Sequence, residues 1–345
     1  MMTQIIKVLV VDDSAYVRKV VRQMLSRSPF IEVVGAARDG KEALELVEQL
    51  RPDVVTCDLM MPELDGVGFV REQMRRRPVP IVIVSIASRS GETALAALDA
   101  GAIDFVRKPT ALATEKVLEI SDELIEKVKA VAAAPLRGLL IASPPALPPL
   151  LARAATRVDI VVIGISTGGP QALKYLIPQL PADFPVPVAM VLHMPVGYTE
   201  LYARSLDNLS PLRVVEAREG EPVNPGTVLL APAGRHLLLR RGADGRVIAQ
   251  LDTRPFDTPH RPAVDVLFQS AAEVFGERVL GVVMTGMGAD GKQGAAWIKA
   301  QGGCVLTEAE SSCVVYGMPR AVAEAGLSDA SVPLGEMART ILERL

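Results

Sequence analysis

The sequence predicts an α/β protein built as two doubly wound domains, one of five parallel strands and a larger one that is mostly parallel with an antiparallel hairpin section. Three observations carry this reading. Short apolar runs alternate with segments of helical period through residues 5–128 and again through 158–345. A stretch rich in proline and alanine separates the two series. The apolar runs in both halves stop at residues capable of chemistry, as expected where parallel strands end along one ligand-binding edge. The 345 residues suit two domains of ordinary size, and an apolar content of 49% supplies two cores.

In the first half, Lys7 to Val11 reads as a buried strand ending at Asp12-Asp13. Ser14 stands where it would cap a helix whose apolar positions are Val17, Val20, Val21, Met24 and Leu25. Ile31 to Gly35 is the second strand, and Ala43, Leu44, Val47 and Leu50 mark a helix closed by Pro52. Asp53 to Cys57 ends at Asp58, Ile81 to Val84 at Ser85, and Ala102 to Val106 at Lys108-Pro109. A last helix carries Val117, Ile120, Leu124, Val128 and Val131. The first domain is thus expected over 1–129. Ala132-Ala133-Ala134-Pro135 and Ser143 to Pro149 suit no regular element, so 130–156 reads as a linker, semi-extended at Pro144, Pro145, Pro148 and Pro149, with an apolar stretch at Leu139, Leu140 and Ile141.

The second domain, 157–345, opens with the apolar run Val158 to Ile163, which ends in Gly164-Ile165-Ser166-Thr167-Gly168-Gly169. Val186 to Leu192 delivers His193, and Arg278 to Met284 runs into Thr285-Gly286-Met287-Gly288-Ala289-Asp290-Gly291. Between them, Thr227 to Pro232 and Leu237 to Arg240 read as a hairpin joined by Ala233 to His236. Asp244-Gly245 then turns into Val247 to Leu251.

Bulk properties narrow the function. The formal net charge of −3 gives no electrostatic reason to expect nucleic acid. No apolar run approaches the roughly 18 residues a membrane span needs, so no direct membrane insertion is expected. The N-terminus carries no signal-peptide pattern, and Cys57, Cys304 and Cys313 show no CxxC spacing, so a cytoplasmic location with free thiols is the expectation. Only His193, His236 and His260 are present, too few for a zinc site with several histidine ligands.

Asp12, Asp13 and Asp58 come from two strand ends of the first domain and Lys108 from a third. Three carboxylates near one point repel unless a cation sits among them, and hard oxygen ligands suit Mg²⁺. Lys108 can neutralise a phosphoryl oxygen and Ser85 can hydrogen-bond another, which equips a carboxylate to become an aspartyl phosphate. In the second domain a serine, a histidine and an aspartate each follow a strand, the raw material of a hydrolytic triad. Taken singly, Ser166 reads equally as a nucleophile elbow or as part of a phosphate cradle at a helix N-terminus, His193 as structural, and Asp290 as an N-cap. The triad order Ser, His, Asp differs from the Ser, Asp, His of α/β-hydrolases. Glycines 286, 288 and 291 offer backbone N–H groups to a developing oxyanion.

The first domain resembles the receiver domain of two-component response regulators, through Val-Val-Asp-Asp-Ser at 10–14, Asp58-Leu-Met-Met-Pro, Asp65-Gly66, Ser85 and Lys108-Pro109. That resemblance implies a flavodoxin-like fold, Asp58 as the phosphorylated residue, Mg²⁺ held by Asp12 and Asp13 beside it, a histidine kinase as donor, and Phe105 as the switch aromatic. The whole chain resembles the chemotaxis protein-glutamate methylesterase/glutaminase (CheB) family. The motifs are Gly164-Ile-Ser-Thr-Gly-Gly-Pro170, His193-Met-Pro195, Pro225-Gly226 with Ala231-Pro232 and His236, Pro262-Ala-Val-Asp265, Thr285 to Gly291, and Ser312-Cys-Val-Val-Tyr-Gly-Met-Pro319.

By position, this resemblance makes Ser166 the nucleophile, His193 the general base, Asp290 its orienting partner and Met287 an oxyanion N–H donor. It puts His260 and Asp265 near the active-site wall. No cofactor is implied for the ester chemistry. The substrate implied is the cytoplasmic helices of chemoreceptors, and the phosphodonor a chemotaxis histidine kinase. The family often has Gln at Leu192, Ser at Ala263, Glu at Met60 and a second Ser at Ile86. Two other functions fit the same residues, a regulatory esterase of another signalling pathway and a non-catalytic receiver-linked binding module.

Overall fold

The computed structural model describes residues 5–85, 91–108, 114–133 and 158–345. The described residues fall into two compact units divided between 140 and 141. Most of the expected linker, 134–156, and the positions Ile86 and Pro109 lie outside the described residues, and the first linker residues belong to a helix that runs to Ala132.

The first unit has strands β1 (Ile6–Val11), β2 (Ile31–Ala37), β3 (Val54–Cys57), β4 (Ile81–Ser85) and β5 (Asp104–Arg107), and helices α1 (Ala15–Leu25), α2 (Gly40–Leu50), α3 (Gly66–Arg76), α4 (Gly91–Asp99) and α5 (Thr114–Ala132). The strands form one parallel sheet in the order β2-β1-β3-β4-β5. β3 and β4 are buried at every position, as strands covered on both faces must be. Ser14 caps α1 by accepting the Val17 N–H, and Val21, Met24 and Leu25 form its buried stripe.

The second unit has a seven-stranded sheet. In chain order its strands are β6 (Ile160–Ile165), β7 (Val188–Leu192), β8 (Arg213–Glu216), β9 (Thr227–Leu230), β12 (Val279–Val283), β13 (Cys304–Glu308) and β14 (Ala330–Val332). They lie in the order β14-β13-β12-β6-β7-β9-β8, and all pairings are parallel. A separate antiparallel pair joins β10 (His236–Arg241) to β11 (Val247–Asp252). The helices are α6 (Gly169–Leu176), α7 (Thr199–Asp207), α8 (Val264–Phe275), α9 (Lys292–Ala300), α10 (Met318–Glu324) and α11 (Leu334–Arg344).

The expected hairpin of 227–232 with 237–240 is corrected here. The real hairpin is β10 with β11, turning at Gly242 to Arg246, and β9 is an inner strand between β7 and β8. The physical reason is burial. Val228, Leu229, Leu230 and Ala231 are all inaccessible, which suits the inside of a parallel sheet and not a ribbon with one wet face.

Helix α8 covers β6 and the hairpin. Val264, Leu267, Phe268 and Ala271 pack with Ile160 and Val162 of β6 and with Leu237, Leu239 and Ala249. Gly164 permits that approach: a Cβ there would overlap Val264 Cγ1 and lie 2.8 Å from Cγ2. Gly164→Ala must therefore push α8 away from the sheet, at a cost of about 1–3 kcal/mol. Chemical denaturation followed by far-UV circular dichroism should show the lowered midpoint, and an unchanged midpoint would refute the tight β6–α8 contact.

Candidate active site and phosphoacceptor site

The order of strands positions the second unit's site. From β6 the chain first builds β7, the edge strand β8 and then β9 between them on one side, then returns to build β12, β13 and β14 on the other side. The direction reverses between β6 and β12, and such switch points open a crevice at the strands' carboxyl ends. Ser166 follows β6 there. Its N–H donates to the Thr285 carbonyl after β12 at 2.9 Å, while His193 after β7 donates its own N–H to Ile165 O at 3.1 Å. The turn closes with Gly169 N–H to Ser166 O at 2.7 Å and with Gly168 in the left-handed region at φ 80°, where a glycine is needed.

His193 Nε2 lies 2.8 Å from Asp290 Oδ2. Asp290 Oδ2 also accepts the Val264 N–H at 2.8 Å, and Oδ1 the Asp265 N–H at 2.9 Å. Burial raises the Asp290 carboxyl, but the His193 contact and the two amides outweigh it and hold the group below the usual carboxylate range. An ionised carboxylate only accepts, so Nε2 carries the imidazole proton and Nδ1 keeps its lone pair. Nδ1 is buried with no hydrogen-bond partner among the described residues, so the Ser166–His193 link is not closed in this structure. A catalytic hydrogen bond of this kind commonly tightens only on substrate binding.

Asp290 does not cap its own helix α9, whose N-cap is Gly291. It serves the N-terminus of α8 instead. Asp265 of α8 returns the arrangement: its Oδ1 accepts Gly291 N–H at 2.9 Å and Gly294 N–H at 2.7 Å. This explains why Ala263, the N-cap of α8, works without a side-chain acceptor. Of the three glycines considered for the oxyanion, Gly286 gives its N–H to Val315 O at 3.0 Å and Gly291 to Asp265, so neither serves that role. Gly288 is exposed and Met287 half-buried in the same loop. The loop lies against the Ser166 turn, since a Cβ on Gly286 would come 2.8 Å from Ser166 Cβ.

The remaining histidines divide as wall and scaffold. His260 stacks on His193 with ring centroids 4.1 Å apart and an interplanar angle of 28°. His236 is fully buried; Nδ1 accepts the Ala263 N–H at 3.1 Å and Nε2 lies 3.2 Å from Pro255 O. Burial lowers its pKa, with Arg261 adding to the effect. Leu192 is buried at the end of β7, and Met60 is exposed. Sequence reasoning passed over Glu308, a buried carboxylate at the end of β13, though its place at a strand end of the same sheet edge was a usable signal.

In the first unit, one ligand oxygen each from Asp12, Asp13 and Asp58 lies within 4.8 Å of the others. Lys108 Nζ bridges Asp12 Oδ2 at 2.6 Å and Asp58 Oδ2 at 2.7 Å. Leu59 N–H holds the other Asp58 oxygen at 2.7 Å. Burial raises the Asp12 carboxyl against the pull of Lys108. Burial lowers the Lys108 ammonium, but the two carboxylates outweigh it and raise its pKa. The oxygen set and its negative charge fit a small hard dication. Ser85 is buried at the end of β4, and its carbonyl accepts the Lys108 N–H at 2.8 Å. Phe105 is buried, and its carbonyl accepts from Lys127 Nζ at 2.8 Å, with the ammonium 6.0 Å from the ring centroid.

Comparison with known proteins follows this division. The family described as CheB methylesterase matches residues 161–341, and the response regulator receiver domain matches 8–119. A Myxococcus xanthus relative named protein-glutamate methylesterase/protein-glutamine glutaminase 5 is 54% identical over 336 residues, covering 96% of each chain. A Symbiobacterium thermophilum protein-glutamate methylesterase/protein-glutamine glutaminase is 47% identical, covering 97% of this chain and 96% of its own. The crystal structure of the Thermotoga maritima CheB methylesterase catalytic domain is 43% identical with a TM-score of 0.53, covering 55% of this chain and 99% of that one.

The carboxylate exchange between α8 and α9 has a pH signature. Burial pushes Asp265 up from 3.8 to about 6, with the Asp290 charge adding to it. A carboxyl whose folded pKa lies above its unfolded value loses stability as pH rises through that interval. Asp265→Asn keeps the Oδ1 acceptor and removes the charge. It should be more stable than wild type by about 1 kcal/mol above pH ~6, after discounting for partial solvent screening, with the gap closing as pH falls toward 4. Urea denaturation across that range reads the gap, and a gap that widens toward low pH would contradict the assignment.

Proposed function

The chain belongs to the CheB methylesterase family, with a receiver domain in the same polypeptide, and from that premise we propose how its residues perform the family's reaction. The activity is hydrolysis of γ-glutamyl methyl esters and deamidation of glutamines in proteins. The observation that supports our residue assignment is the His193–Asp290 contact through Nε2, with Nδ1 buried and without a partner among the described residues, on a residue whose N–H bonds the carbonyl of Ile165, next to Ser166.

Ser166 Oγ attacks the ester carbonyl as His193 Nδ1 takes its proton. Asp290 steadies the imidazolium through Nε2–H. The Met287 N–H receives the oxyanion, a contribution on the order of 3 kcal/mol. Collapse breaks the carbon–methoxy bond, and His193 returns the proton to release methanol. Water, deprotonated by His193, then attacks the acyl-serine; the carbon–Oγ bond breaks, His193 returns the proton to Ser166 Oγ, and the glutamate is freed. With glutamine as substrate the leaving group is ammonia.

The domains are taken as 1–129 and 157–345, joined by 130–156, whose first residues continue α5 to Ala132, and the protein works in the cytoplasm. Chemoreceptors are the substrate, and a chemotaxis histidine kinase supplies the phosphoryl group. Asp58 accepts it, with Asp12 and Asp13 alongside to hold Mg²⁺, which when bound neutralises phosphoryl charge. Lys108 moves from its carboxylate pair to a phosphoryl oxygen, and Ser85 binds another. Phe105 reports the change, and phosphorylation shifts the population toward an active enzyme. Among the described residues no helix is long and apolar enough to cross a membrane.

Ser166→Ala should abolish methanol release from methylated receptors, and a serine-directed phosphonate should add once, at Ser166. His193→Ala should lower kcat on the order of 10⁴-fold or more. His260→Ala should cost far less, and an equal loss at equal stability would move the base to His260. Asp58→Asn should keep the basal rate when a small-molecule phosphodonor is added, where wild type accelerates. An accelerating Asp58→Asn enzyme would exclude Asp58 as the acceptor.

A further inference from the structure

Strand β13, next to β12, ends at a carboxylate the ester chemistry does not use. Glu308 is fully buried. Its Oε2 accepts the Thr285 N–H at 2.9 Å and its Oε1 the Ser312 hydroxyl at 2.9 Å. Burial pushes the carboxyl up to about 6 against the pull of the Thr285 amide, the Ser312 hydroxyl and the Cys313 thiol. Among the described residues no cation pairs with it, and a buried carboxylate without one is costly to keep.

Thr285 is what this carboxylate holds, and Thr285 is the joint of the site. Its carbonyl accepts the Ser166 N–H at 2.9 Å. Its hydroxyl donates to Thr167 O at 3.0 Å and accepts the Val315 N–H at 3.0 Å. The next residue, Gly286, bonds Val315 O at 3.0 Å and receives the Gly317 and Met318 N–H groups at 3.1 and 2.8 Å. One residue thus ties together the serine turn, the 285–288 loop and the segment leading into α10.

We propose that Glu308 is a positioning residue of the esterase site, fixing Thr285 from beneath and so setting the Ser166 turn and the 286–288 loop against the reacting carbonyl. The inference rests on Ser166 being the nucleophile. The acceptor oxygen, not the charge, performs the task. Protonated Glu308 keeps one oxygen for Thr285 and donates to Ser312 Oγ, whose own proton has Ala309 O as a second acceptor at 3.3 Å. A glutamine side chain in its place would offer the same pattern. A methionine there leaves the Thr285 N–H buried without an acceptor, and the loop must shift to satisfy it.

The test compares full-length E308Q and E308M with wild type in methanol release from chemoreceptors methylated on glutamate. E308Q should keep kcat within about threefold, while E308M loses roughly 100-fold in kcat with KM within about threefold, the pattern of misplaced reacting groups and not of lost binding. A folded E308M with wild-type kcat overturns the proposal, as does an E308Q that falls as far as E308M. Amide hydrogen exchange on the wild-type protein gives an answer even where E308M does not fold. The Thr285 N–H should be strongly protected relative to the amide of Gly288, an exposed residue of the same loop, and a Thr285 amide exchanging as fast as Gly288 refutes the anchoring. Wild type that releases no methanol refutes the esterase reading instead, and leaves the exchange result standing.

Discussion

Three donors converge on the carboxylate of Asp290, and the catalytic half of the molecule is arranged around that convergence. The imidazole Nε2–H of His193 and the first two amides of α8 all point at it. The same group therefore fixes the tautomer of a strand-end histidine and closes the start of the helix that covers the sheet. A negative charge at a helix N-terminus is favourable, and α8 supplies two of its otherwise unpaired amides. Asp265 completes the pair by serving the N-terminus of α9. The two acids are driven apart by their surroundings. Asp290 is held ionised by His193 and two amides, whereas burial, reinforced by the Asp290 charge, lifts Asp265. Environments that split two neighbouring carboxyls separate Asp290, which stands against the His193 imidazole, from Asp265, which does not.

Topology makes that convergence possible. The chain leaves β6 in one direction and later returns on the other side, so the ends of β7 and β12 flank the end of β6. The main-chain bonds of Ser166 to Thr285 and of His193 to Ile165 then set the spacing of the functional groups by the sheet's own register. Groups borne on strand ends inherit the rigidity of the sheet, which long loops do not supply. The close packing of α8 needs Gly164 on β6 and Gly294 on α9, where a Cβ would lie 2.5 Å from Phe268 Cβ.

Most of this was legible in the sequence because parallel strands buried on both faces are continuous apolar runs, and their ends announce themselves by the polar residue that follows. Ser166, His193 and Asp290 were read in that way, as were Asp12, Asp58, Ser85 and Lys108. The hairpin was misread because β9 and β10 are both short and apolar, and nothing in 227–241 alone says that β9 pairs with β7 and β8. Local pattern also suggests that Asp290 caps the helix it precedes, and only tertiary packing gives its carboxylate to α8. The availability of a glycine N–H is likewise invisible in sequence: Gly286 and Gly291 are committed to Val315 and Asp265, partners far along the chain.

The two units solve one electrostatic problem in opposite ways. Each gathers carboxylates at the carboxyl edge of a parallel sheet. In the first unit Asp12 and Asp58 share the ammonium of Lys108, a flexible point charge that can leave one partner for another. That suits a site whose charge must change. In the second unit the ionised Asp290 is met by an imidazole and by backbone amides, and amides are fixed dipoles that neither move nor titrate. That suits a carboxylate whose charge and geometry stay constant, because dipoles already oriented toward it need no reorganisation to hold it. The difference in partner, a mobile ammonium against fixed N–H groups, separates the two carboxylate edges on the same architecture.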